Sequence, residues 1–335
     1  MRIAVLGCGS WGTALAILLA RNGCQVELRG RSEEEISMLR SVRENLTYLP
    51  GFVLPVEVTP FMMEEPLAGI DLVVSALPSG AVRSVFTEYS CYLKTQRSIV
   101  LLASKGLEVG TGKRLSEVVK EIAPECMIGA ISGPNLALEI VRGIPTAAIV
   151  SFAEEEVADR VRMIFNCSTF RVYRSTDVTG VELAGALKNV IAVAAGVSDG
   201  LGYGDNTKGA LLARGLKEII ALGTALGANP ETFLGIAGIG DLVATATSPL
   251  SRNYRLGKLV GQGKSTQDAL KEIGQIAEGV PTSEVIARLL QATGVFAPIL
   301  ESVHHVLEGH LDPKRAVAML MERQTPVESL TPLSH

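Results

Sequence analysis

One lysine interrupts a stretch of the chain that is otherwise almost wholly apolar. Residues 181 to 197 read VELAGALKNVIAVAAGV, in which Lys188 is the only charged side chain after Glu182. The length and the apolar character on every side predict a helix buried inside a domain, with mostly small side chains at helical spacing around the lysine. Burial weakens the hold of an ammonium on its proton, and a buried charge that costs this much usually serves a function. The alternative is a lysine whose stem lies along the helix and carries its head into solvent.

Three polar motifs further along the chain could act with this lysine. Asp241 follows a Gly-Ile-Gly run at a predicted helix start, where it could orient the ammonium or simply cap the helix. The run Ser251-Arg252-Asn253 places a guanidinium at another helix start, which suits an anion; the alternative is an ordinary surface arginine. The loop over 275–280 carries a lone acid, Glu278, which indicates little by itself.

A glycine-rich turn joins the first predicted strand to the first predicted helix. Residues 2–6 have a strand pattern, residues 13–21 have a helical one, and the chain between them reads Gly7-Cys8-Gly9-Ser10-Trp11-Gly12. Glycines at this spacing allow a tight turn and close approach of the backbone to a pyrophosphate, and the helix N-terminus supplies unpaired N–H groups. Strand, turn and helix in this order predict a dinucleotide-binding site, with a purely structural turn as the alternative.

The end of the second predicted strand, over 25–28, bears on which dinucleotide is bound. Glu27 has the spacing of about 20 residues that is typical of the acid on the ribose of NAD, yet it lies inside the strand. The strand end reads Arg29-Gly30-Arg31, and arginine there suits a 2′-phosphate. We therefore expect NADPH to be favoured slightly over NADH. The alternative places both arginines on a solvated turn.

Strand and helix patterns alternate through the first half of the chain, which predicts an α/β fold with a doubly wound (Rossmann-type), mostly parallel sheet. From about residue 175 the strand signals stop, which predicts an all-helical C-terminal domain. We expect a dinucleotide-binding domain over 1–174, a helical substrate and catalytic domain over 175–323 and a frayed tail over 324–335. Further strands are predicted over 70–74, 99–103, 127–131, 146–150 and 169–173, and a proline- and glycine-rich loop over 50–60.

Two predicted strand ends carry polar residues at the edge where such sheets bind ligands. Lys105 follows the strand over 99–103, and Gly133-Pro134-Asn135 follows the strand over 127–131. The proline there suits the first turn of a helix. Lys105 alone would be read as a surface lysine, but its place at a strand end beside the predicted cofactor favours a site.

Composition narrows the class of protein. The 335 residues are 47% hydrophobic and 20% charged with a net charge of -4, which is typical of a globular enzyme and argues against nucleic-acid binding. Five scattered cysteines indicate reduced thiols and neither a disulfide framework nor a metal site. No apolar run reaches the roughly 18 residues of a membrane span, since Lys188 interrupts the best candidate, and the N-terminus lacks the layout of a signal peptide. We expect a cytoplasmic protein without membrane insertion.

Taken together, these motifs resemble one family, the bacterial NAD(P)-dependent glycerol-3-phosphate dehydrogenases. The matching segments extend over nearly the whole chain and are 7–16, 104–108, 133–134, 182–190, 240–242 and 251–253. The resemblance implies that Lys188 is the catalytic residue. The implied substrate-binding residues are Lys105, Gly133, Asn135, Lys188, Asp241, Ser251, Arg252 and Asn253. The implied cofactor-binding residues are Gly7, Gly9, Ser10, Trp11, Gly12, Arg31, Lys105, Ala137, Arg252, Ile276 and Glu278.

Two positions depart from the family pattern. Asn135 stands where serine is usual, so the polar contact there depends on a different side chain, and Ala277 stands where valine is usual. The implied reaction is the reversible reduction of dihydroxyacetone phosphate to sn-glycerol 3-phosphate, for glycerophospholipid synthesis, by a homodimer that uses NADH or NADPH. Arg252 with Asn253 would bind the phosphate and so position the reacting carbon.

Two other functions stay open at this point. One is a related β-hydroxyacid or ketopantoate-type reductase, which would share the glycine turn and a catalytic lysine but would not need a phosphate site. The other is a non-catalytic dinucleotide-sensing protein, which would leave Lys188 without a role.

Overall fold

The chain divides into an α/β unit and a helical unit. The computed structural model describes residues 1–96 and 98–323. Unit 1 comprises Met1–Lys105 and Lys113–Glu182, and unit 2 comprises Gly106–Gly112 and Leu183–His335, the latter described as far as residue 323. The tail predicted over 324–335 lies outside the described residues. The domain boundary predicted between residues 174 and 175 stays a prediction.

An eight-stranded sheet forms the centre of unit 1. Its order is β10-β9-β8-β7-β6-β1-β2-β5, and each neighbouring pair that the structure describes in it is parallel except β8 with β9. A mostly parallel sheet was predicted and is confirmed. The strands are β1 (Arg2–Leu6), β2 (Gln25–Gly30), β3 (Glu44–Asn45), β4 (Leu49–Val53), β5 (Val58–Met62), β6 (Leu72–Ser75), β7 (Ile99–Leu102), β8 (Met127–Ser132), β9 (Thr146–Phe152) and β10 (Phe170–Ser175), of which β3 and β4 form a separate antiparallel pair.

Helices cover both faces of this sheet, as a doubly wound fold requires. Successive residues of β1 point to opposite faces: Ile3 and Val5 belong to one apolar cluster, and Ala4 and Leu6 belong to another. The helices are α1 (Ser10–Arg21), α2 (Glu33–Val42), α3 (Val82–Glu88), α4 (Ser90–Gln96), α5 (Leu115–Ile122), α6 (Ala137–Val141) and α7 (Glu155–Phe165). The carboxyl ends of the parallel strands are thereby held at one edge of a rigid sheet.

Two local predictions for unit 1 are wrong. The segment over 50–60, predicted as a loop, contains most of β4 and the start of β5, and β5 pairs with β2 at the edge of the sheet. Pro60 lies in β5, and an edge strand tolerates proline because one of its sides needs no N–H donor. Pro134 does not begin a helix. Gly133 has a φ of 131°, and the chain turns before α6 begins at Ala137.

Unit 2 is built from helices, which confirms the predicted fold class. Its longest helix, which contains Lys188, begins in unit 1 and passes into unit 2 after Glu182. This helix is long and apolar enough to cross a membrane, but 94% of the apolar window is buried, as in a core helix. The helices are α8 (Val178–Gly200), α9 (Asp205–Ala225), α10 (Pro230–Leu234), α11 (Asp241–Thr247), α12 (Arg252–Gly261), α13 (Thr266–Ile273), α14 (Gly279–Thr293), α15 (Pro298–Leu307) and α16 (Pro313–Met321).

Helices α8 and α12 cross in direct backbone contact. A Cβ on Gly196 of α8 would lie 2.1 Å from the carbonyl oxygen of Tyr254, and a Cβ on Gly257 of α12 would lie 2.0 Å from the carbonyl oxygen of Val193. Side chains at these glycines would force the two helices apart. The crossing therefore fixes the N-terminus of α12 relative to Lys188, which lies about two turns earlier on α8.

Candidate active site

The glycine-rich turn has the geometry that a dinucleotide requires. Gly7 has a φ of 104°, and a Cβ there would lie 2.8 Å from the carbonyl oxygen of Ala76. A Cβ on Gly12 would lie 1.8 Å from the carbonyl oxygen of Gly7, so the helix packs tightly on the turn. Gly9 differs, because among the described residues no heavy atom other than those of Gly9 and its chain neighbours lies within 4 Å of its Cβ position. The open side at Gly9, next to the first N–H groups of α1, is a cradle that fits a pyrophosphate.

The predicted residues at the ends of β7 and β8 lie near one another. The ammonium of Lys105 donates a hydrogen bond to the carbonyl oxygen of Gly133 at 2.8 Å. The indole N–H of Trp11 donates to the carbonyl oxygen of Ala103 at 3.0 Å, which ties the start of α1 to the end of β7. Ser10 is the first residue of α1. The structure thus brings the predicted turn and the predicted strand ends to one edge of the sheet.

Asn135 carries an unsatisfied amide. Its side-chain oxygen and nitrogen are both buried and have no hydrogen-bond partner among the described residues. Buried polar atoms are normally paired, and leaving them unpaired costs about 1 to 3 kcal/mol. An unpaired amide two residues after Gly133 and two before Ala137, the first residue of α6, is therefore a group that a ligand would satisfy.

The end of β2 differs from the sequence expectation in one respect. Arg29 has no exposed surface, and its guanidinium donates to Glu27 at 2.5 Å and to the carbonyl oxygen of Pro66 at 3.0 Å. Arg29 is thus neither on a solvated turn nor able to reach a 2′-phosphate. The strand period explains this, because Glu27 and Arg29 point to the same face of the sheet. Arg31, the residue after β2, is exposed.

A buried asparagine that the sequence did not single out holds the glycine-rich turn from behind. The amide nitrogen of Asn45 donates to the carbonyl oxygen of Cys8 at 2.7 Å and to the hydroxyl of Thr13 at 2.8 Å. Because Asn45 is only 5% exposed, these bonds fix the backbone of the turn. Its signal in the sequence is weak, since asparagine is common in loops of every kind.

In unit 2, Lys188 is 3% exposed, so its burial was predicted correctly and the solvent-reaching alternative was wrong. Its ammonium donates to the carboxylate of Asp241 at 2.7 Å and also to the hydroxyl of Thr245. The Thr245 hydroxyl in turn donates to Asp241 at 3.2 Å. Lys188, Asp241 and Thr245 therefore form one buried polar cluster with a fixed ammonium.

The local chain explains why Asp241 points at the lysine. A single turn of π-helix, Ile236–Gly240, leads directly into α11, so Asp241 is already inside a helix and does not cap it. Asp241 and Thr245 are four residues apart and share one helical face. That spacing was the available signal for Thr245, which the sequence interpretation missed. Asp241 is 1% exposed, and a carboxylate buried this deeply needs a charged or donating partner.

The predicted anion motif lies at the start of α12. Ser251 caps the helix, since its hydroxyl accepts from the backbone N–H of Tyr254 at 3.2 Å. Burial lowers the pKa of the Arg252 guanidinium, and the charge of Glu278 acts in the opposite direction. A desolvated guanidinium at a helix N-terminus is a strong site for a phosphate. Ile276, in the same loop as Glu278, is 50% exposed.

Both the nitrogen and the oxygen of the Asn253 side-chain amide form hydrogen bonds within unit 2. Its nitrogen donates to the side-chain oxygen of Asn189 at 2.9 Å, and its oxygen accepts from the backbone N–H of Gly279 at 2.9 Å. These bonds join α8, α12 and the start of α14 directly beside Lys188 and Arg252. The nitrogen of Asn253 has a second N–H, so the amide can serve a ligand and hold the helices together. Asn189 was not predicted.

Over the part of the chain that the structure describes, no group of three or more His, Cys, Asp or Glu side chains could hold a metal ion.

An α/β unit with a dinucleotide turn and a helical unit with a buried lysine–carboxylate pair are the parts of an NAD(P)-dependent dehydrogenase. The chain belongs to the NAD-dependent glycerol-3-phosphate dehydrogenase family. The model of the family's N-terminus matches residues 2–158, and that of its C-terminus matches residues 177–318. The predicted family is thus confirmed, and the chain is an oxidoreductase that uses NADH or NADPH.

Similar proteins agree with this assignment. The chain is 48% identical over 325 residues to a glycerol-3-phosphate dehydrogenase (NAD(P)+) of Geobacillus kaustophilus, covering 96% of this chain and 94% of that protein. It is 44% identical over 322 residues to one of Desulfitobacterium hafniense, covering 96% and 91%. A crystal structure of glycerol-3-phosphate dehydrogenase from Coxiella burnetii is similar with a TM-score of 0.93 at 35% identity, covering 96% of this chain and 99% of that one.

Proposed function

We propose that the chain catalyses the reversible reduction of dihydroxyacetone phosphate to sn-glycerol 3-phosphate, with Lys188 as general acid and base. The observation that carries this proposal is the buried cluster of Lys188, Asp241 and Thr245. An ammonium held 2.7 Å from a carboxylate, where solvent hardly reaches, is a single oriented proton donor. Bound NADH or NADPH would supply a hydride to the carbonyl carbon. Lys188 Nζ supplies the proton to the oxygen of that carbon, and takes it back in the oxidation direction.

The dinucleotide would be held by the predicted residues of unit 1. The open side of Gly9 and the N–H groups of Ser10 and Trp11 would receive the pyrophosphate. Arg31 would lie at the ribose end, because it follows β2 directly. The remaining assignments come from the family resemblance and are Gly7, Gly12, Lys105, Ala137, Arg252, Ile276 and Glu278.

The substrate would be held by its phosphate and its oxygens. Arg252 supplies a permanent positive charge at the start of α12, where the backbone N–H groups also favour an anion. Asn135 has an amide that lacks partners among the described residues, which supports the contact despite the exchange of the usual serine. The other proposed substrate residues are Lys105, Gly133, Lys188, Asp241, Ser251 and Asn253.

The family also supports a cellular role. We place the enzyme in the cytoplasm, as a homodimer that makes sn-glycerol 3-phosphate for glycerophospholipid synthesis. The five scattered cysteines fit a reducing compartment. Apart from the dinucleotide and the phosphorylated substrate, no nucleic-acid partner and no membrane insertion form part of the proposal.

A substrate panel tests the proposed reaction. NADH or NADPH oxidation is followed with dihydroxyacetone phosphate, with phosphate-free dihydroxyacetone and with ketopantoate. We expect kcat/KM for the phosphorylated ketone to exceed that for the other two by at least about a thousandfold, since a phosphate bound by a buried arginine contributes several kcal/mol. Equal rates with and without the phosphate would contradict the phosphate site, and faster turnover of ketopantoate would support the alternative reductase. Dinucleotide binding without turnover of any ketone would support the sensor.

A further inference from the structure

We infer that Glu35 sets the choice between NADH and NADPH by disfavouring a 2′-phosphate. This inference rests on the proposed use of the glycine-rich turn for the dinucleotide. Neither the glycine pattern nor the spacing of Glu27 indicates Glu35. The expected effect of Glu35 is opposite to the slight NADPH preference expected from Arg31.

Glu35 contacts the glycine-rich turn. It lies in the first turn of α2, and its carboxylate accepts a hydrogen bond from the thiol of Cys8 at 3.5 Å. Cys8 is the residue between Gly7 and Gly9. A Cβ on Gly30 would lie only 2.5 Å from the Cys8 sulfur, so the thiol fills the space at the end of β2. The carboxylate therefore lies beside the two features that define the ribose end of a dinucleotide site, the turn and the end of β2.

The charge of Glu35 acts on the turn itself. Burial raises the pKa of the Cys8 thiol to about 12, and the charge of Glu35 is the next largest cause, while Arg31 acts in the opposite direction. Burial also raises the pKa of Tyr48, again with Glu35 as the next cause and as its hydrogen-bond partner. Cys8, Glu35 and Tyr48 line one narrow cavity. Glu35 and Arg31 are thus opposed charges close to the same thiol.

Opposed charges at this place discriminate between the two dinucleotides. The 2′-phosphate of NADPH is negative, whereas the 2′-hydroxyl of NADH is neutral and can donate to a carboxylate. A fixed carboxylate consequently repels one ligand and can accept a hydrogen bond from the other. Glu27, which has the expected spacing for this role, is already paired with Arg29, and Arg29 is withdrawn from solvent. Arg31 is then opposed by the Glu35 carboxylate, which has Cys8 and Tyr48 as hydrogen-bond partners.

The test is the ratio of the dissociation constants for NADPH and NADH in Glu35→Gln. Glutamine keeps an oxygen that can accept from Cys8 and Tyr48 but removes the charge. Quenching of Trp11 fluorescence reports binding in the full-length chain, because Trp11 is its one tryptophan. We expect NADPH to bind about tenfold more tightly and NADH to change by less than about twofold, a difference of about 1.4 kcal/mol. The effect should shrink in part at high salt, since the Glu35 carboxylate is half-buried and salt screens a half-buried charge only partly.

Glu34→Gln is the matched control. Glu34 is exposed in the same first turn of α2, so its exchange alters the net charge equally. We expect Glu34→Gln to change the ratio by less than about twofold, because an exposed charge is well screened. Equal weakening of both dinucleotides by Glu35→Gln, or equal effects of the two variants, would overturn the inference. Both results leave the proposed reaction standing, since turnover of dihydroxyacetone phosphate is measured separately.

Discussion

Lys188 and Asp241 are each almost fully buried, which makes the cluster sensitive to the loss of either charge. A buried ion pair adds little net stability, because desolvation of both ions offsets their attraction. Removing one partner is different, since it leaves the other ion buried without its counterion. Catalysis and stability can therefore be separated at these two residues.

We expect Lys188→Met to lose both activity and stability. Turnover should fall by about a thousandfold or more, in line with the loss of a positioned general acid. The free energy of unfolding should fall by about 3 to 5 kcal/mol, because Asp241 is left without its counterion. The double variant Lys188→Met/Asp241→Asn should regain most of the stability and none of the activity. Initial rates and urea unfolding measure the two quantities.

Binding of NADH is the control for this pair of variants. The proposed dinucleotide residues of the turn are distant in sequence from both substitutions, so Trp11 quenching should give a dissociation constant within about twofold of the original, a change of about 0.4 kcal/mol. Turnover retained in Lys188→Met would contradict the assignment of Lys188. A double variant as unstable as the single one would contradict the loss of the Asp241 counterion as the cause.

Residue types and spacing predicted part of this site. Lys188 was found because a charge in an apolar run is conspicuous, and Asp241 because it follows glycines at a helix start. Thr245 escaped notice because a hydroxyl in an apolar helix has no unusual pattern, although it shares a face with Asp241. The role of Arg29 was predicted wrongly because the sequence does not show that its guanidinium forms an ion pair with Glu27. Pairings of this kind are formed only by the tertiary structure.

At the scale of elements, a buried carboxylate from another helix accepts hydrogen bonds from the first backbone N–H groups of α15. Glu218 of α9 accepts from the backbone N–H groups of Ile299 and Leu300 at 3.0 Å each. Burial raises the pKa of Glu218 to about 7, although both N–H donors favour the charged form. The start of α15 is therefore held by a group that titrates near neutral pH.

We expect this carboxyl to make stability depend on pH. Because its folded pKa of about 7 exceeds the ordinary 4.5, the protonated form is favoured by folding. Its contribution is complete below about pH 4.5 and is lost as the pH rises through about 7, a fall of about 3 kcal/mol in the free energy of unfolding. Glu218→Gln should abolish that fall. Urea unfolding at pH 5 and pH 8 measures it.

Glu231→Gln is the control for the pH dependence. Glu231 lies exposed in the first turn of α10, so its exchange should leave the dependence as it is in the original chain. A Glu218→Gln variant that still loses the same stability between the two pH values would show that another group is responsible.

The close crossing of α8 and α12 leads to a second prediction at this scale, on the effect of a side chain at the helix contact. Gly257→Ala would place a methyl group 2.0 Å from the carbonyl oxygen of Val193, so the helices must separate. We expect a loss of about 2 to 3 kcal/mol, as for overpacked cores, and a raised KM for dihydroxyacetone phosphate because Arg252 moves with α12. Thermal unfolding and initial rates measure both effects.

Gly209→Ala is the matched control for this crossing. Gly209 lies inside α9, and its own helix backbone and chain neighbours apart, no heavy atom of the described residues lies within 4 Å of its Cβ position. The same exchange there should stabilise the chain by about 0.5 to 1 kcal/mol, because alanine favours the helix. A Gly257→Ala variant that behaves like Gly209→Ala would contradict the close contact.

Helices and strands were predicted well where the apolar residues recur with a clear helical or strand spacing. The strand over 2–6 and the helix over 181–197 are present, although α8 extends further at both ends. The strand β5 was missed because Pro60 suggests a turn, and only the sheet shows that this strand lies at an edge. Likewise, Gly133-Pro134 resembles a helix start, but the φ of Gly133 takes the chain through a turn first.

On the scale of the whole molecule, α8 links the two units through one continuous buried helix. Val181 lies in unit 1 and Leu183 in unit 2, and both have at most 1% of their surface exposed. Unfolding of either unit would expose part of this helix. The stability of each unit is therefore tied to that of the other through shared secondary structure.

We expect a single cooperative unfolding transition. Trp11 fluorescence reports unit 1, and far-ultraviolet circular dichroism reports the helices of both units, of which unit 2 has the larger share. The two signals should change at the same denaturant concentration, as two-state behaviour requires. NADH at about 100 times its dissociation constant should stabilise the folded chain by about 2.7 kcal/mol and shift both signals together. Separate midpoints for the two signals would contradict the coupling through α8.

The complete burial of Arg29 has a consequence for how this chain can change over generations. A lineage that lost Glu27 alone would leave the Arg29 guanidinium buried without its carboxylate, with a penalty of about 3 to 5 kcal/mol. Loss of Arg29 alone would cost less, because Glu27 also pairs with the half-exposed Arg2 at 3.0 Å. Natural domains have a margin of only about 5 to 15 kcal/mol. We therefore expect Glu27 and Arg29 to be conserved together in related sequences. Where one of them is substituted, the other should be substituted as well, and both by apolar residues.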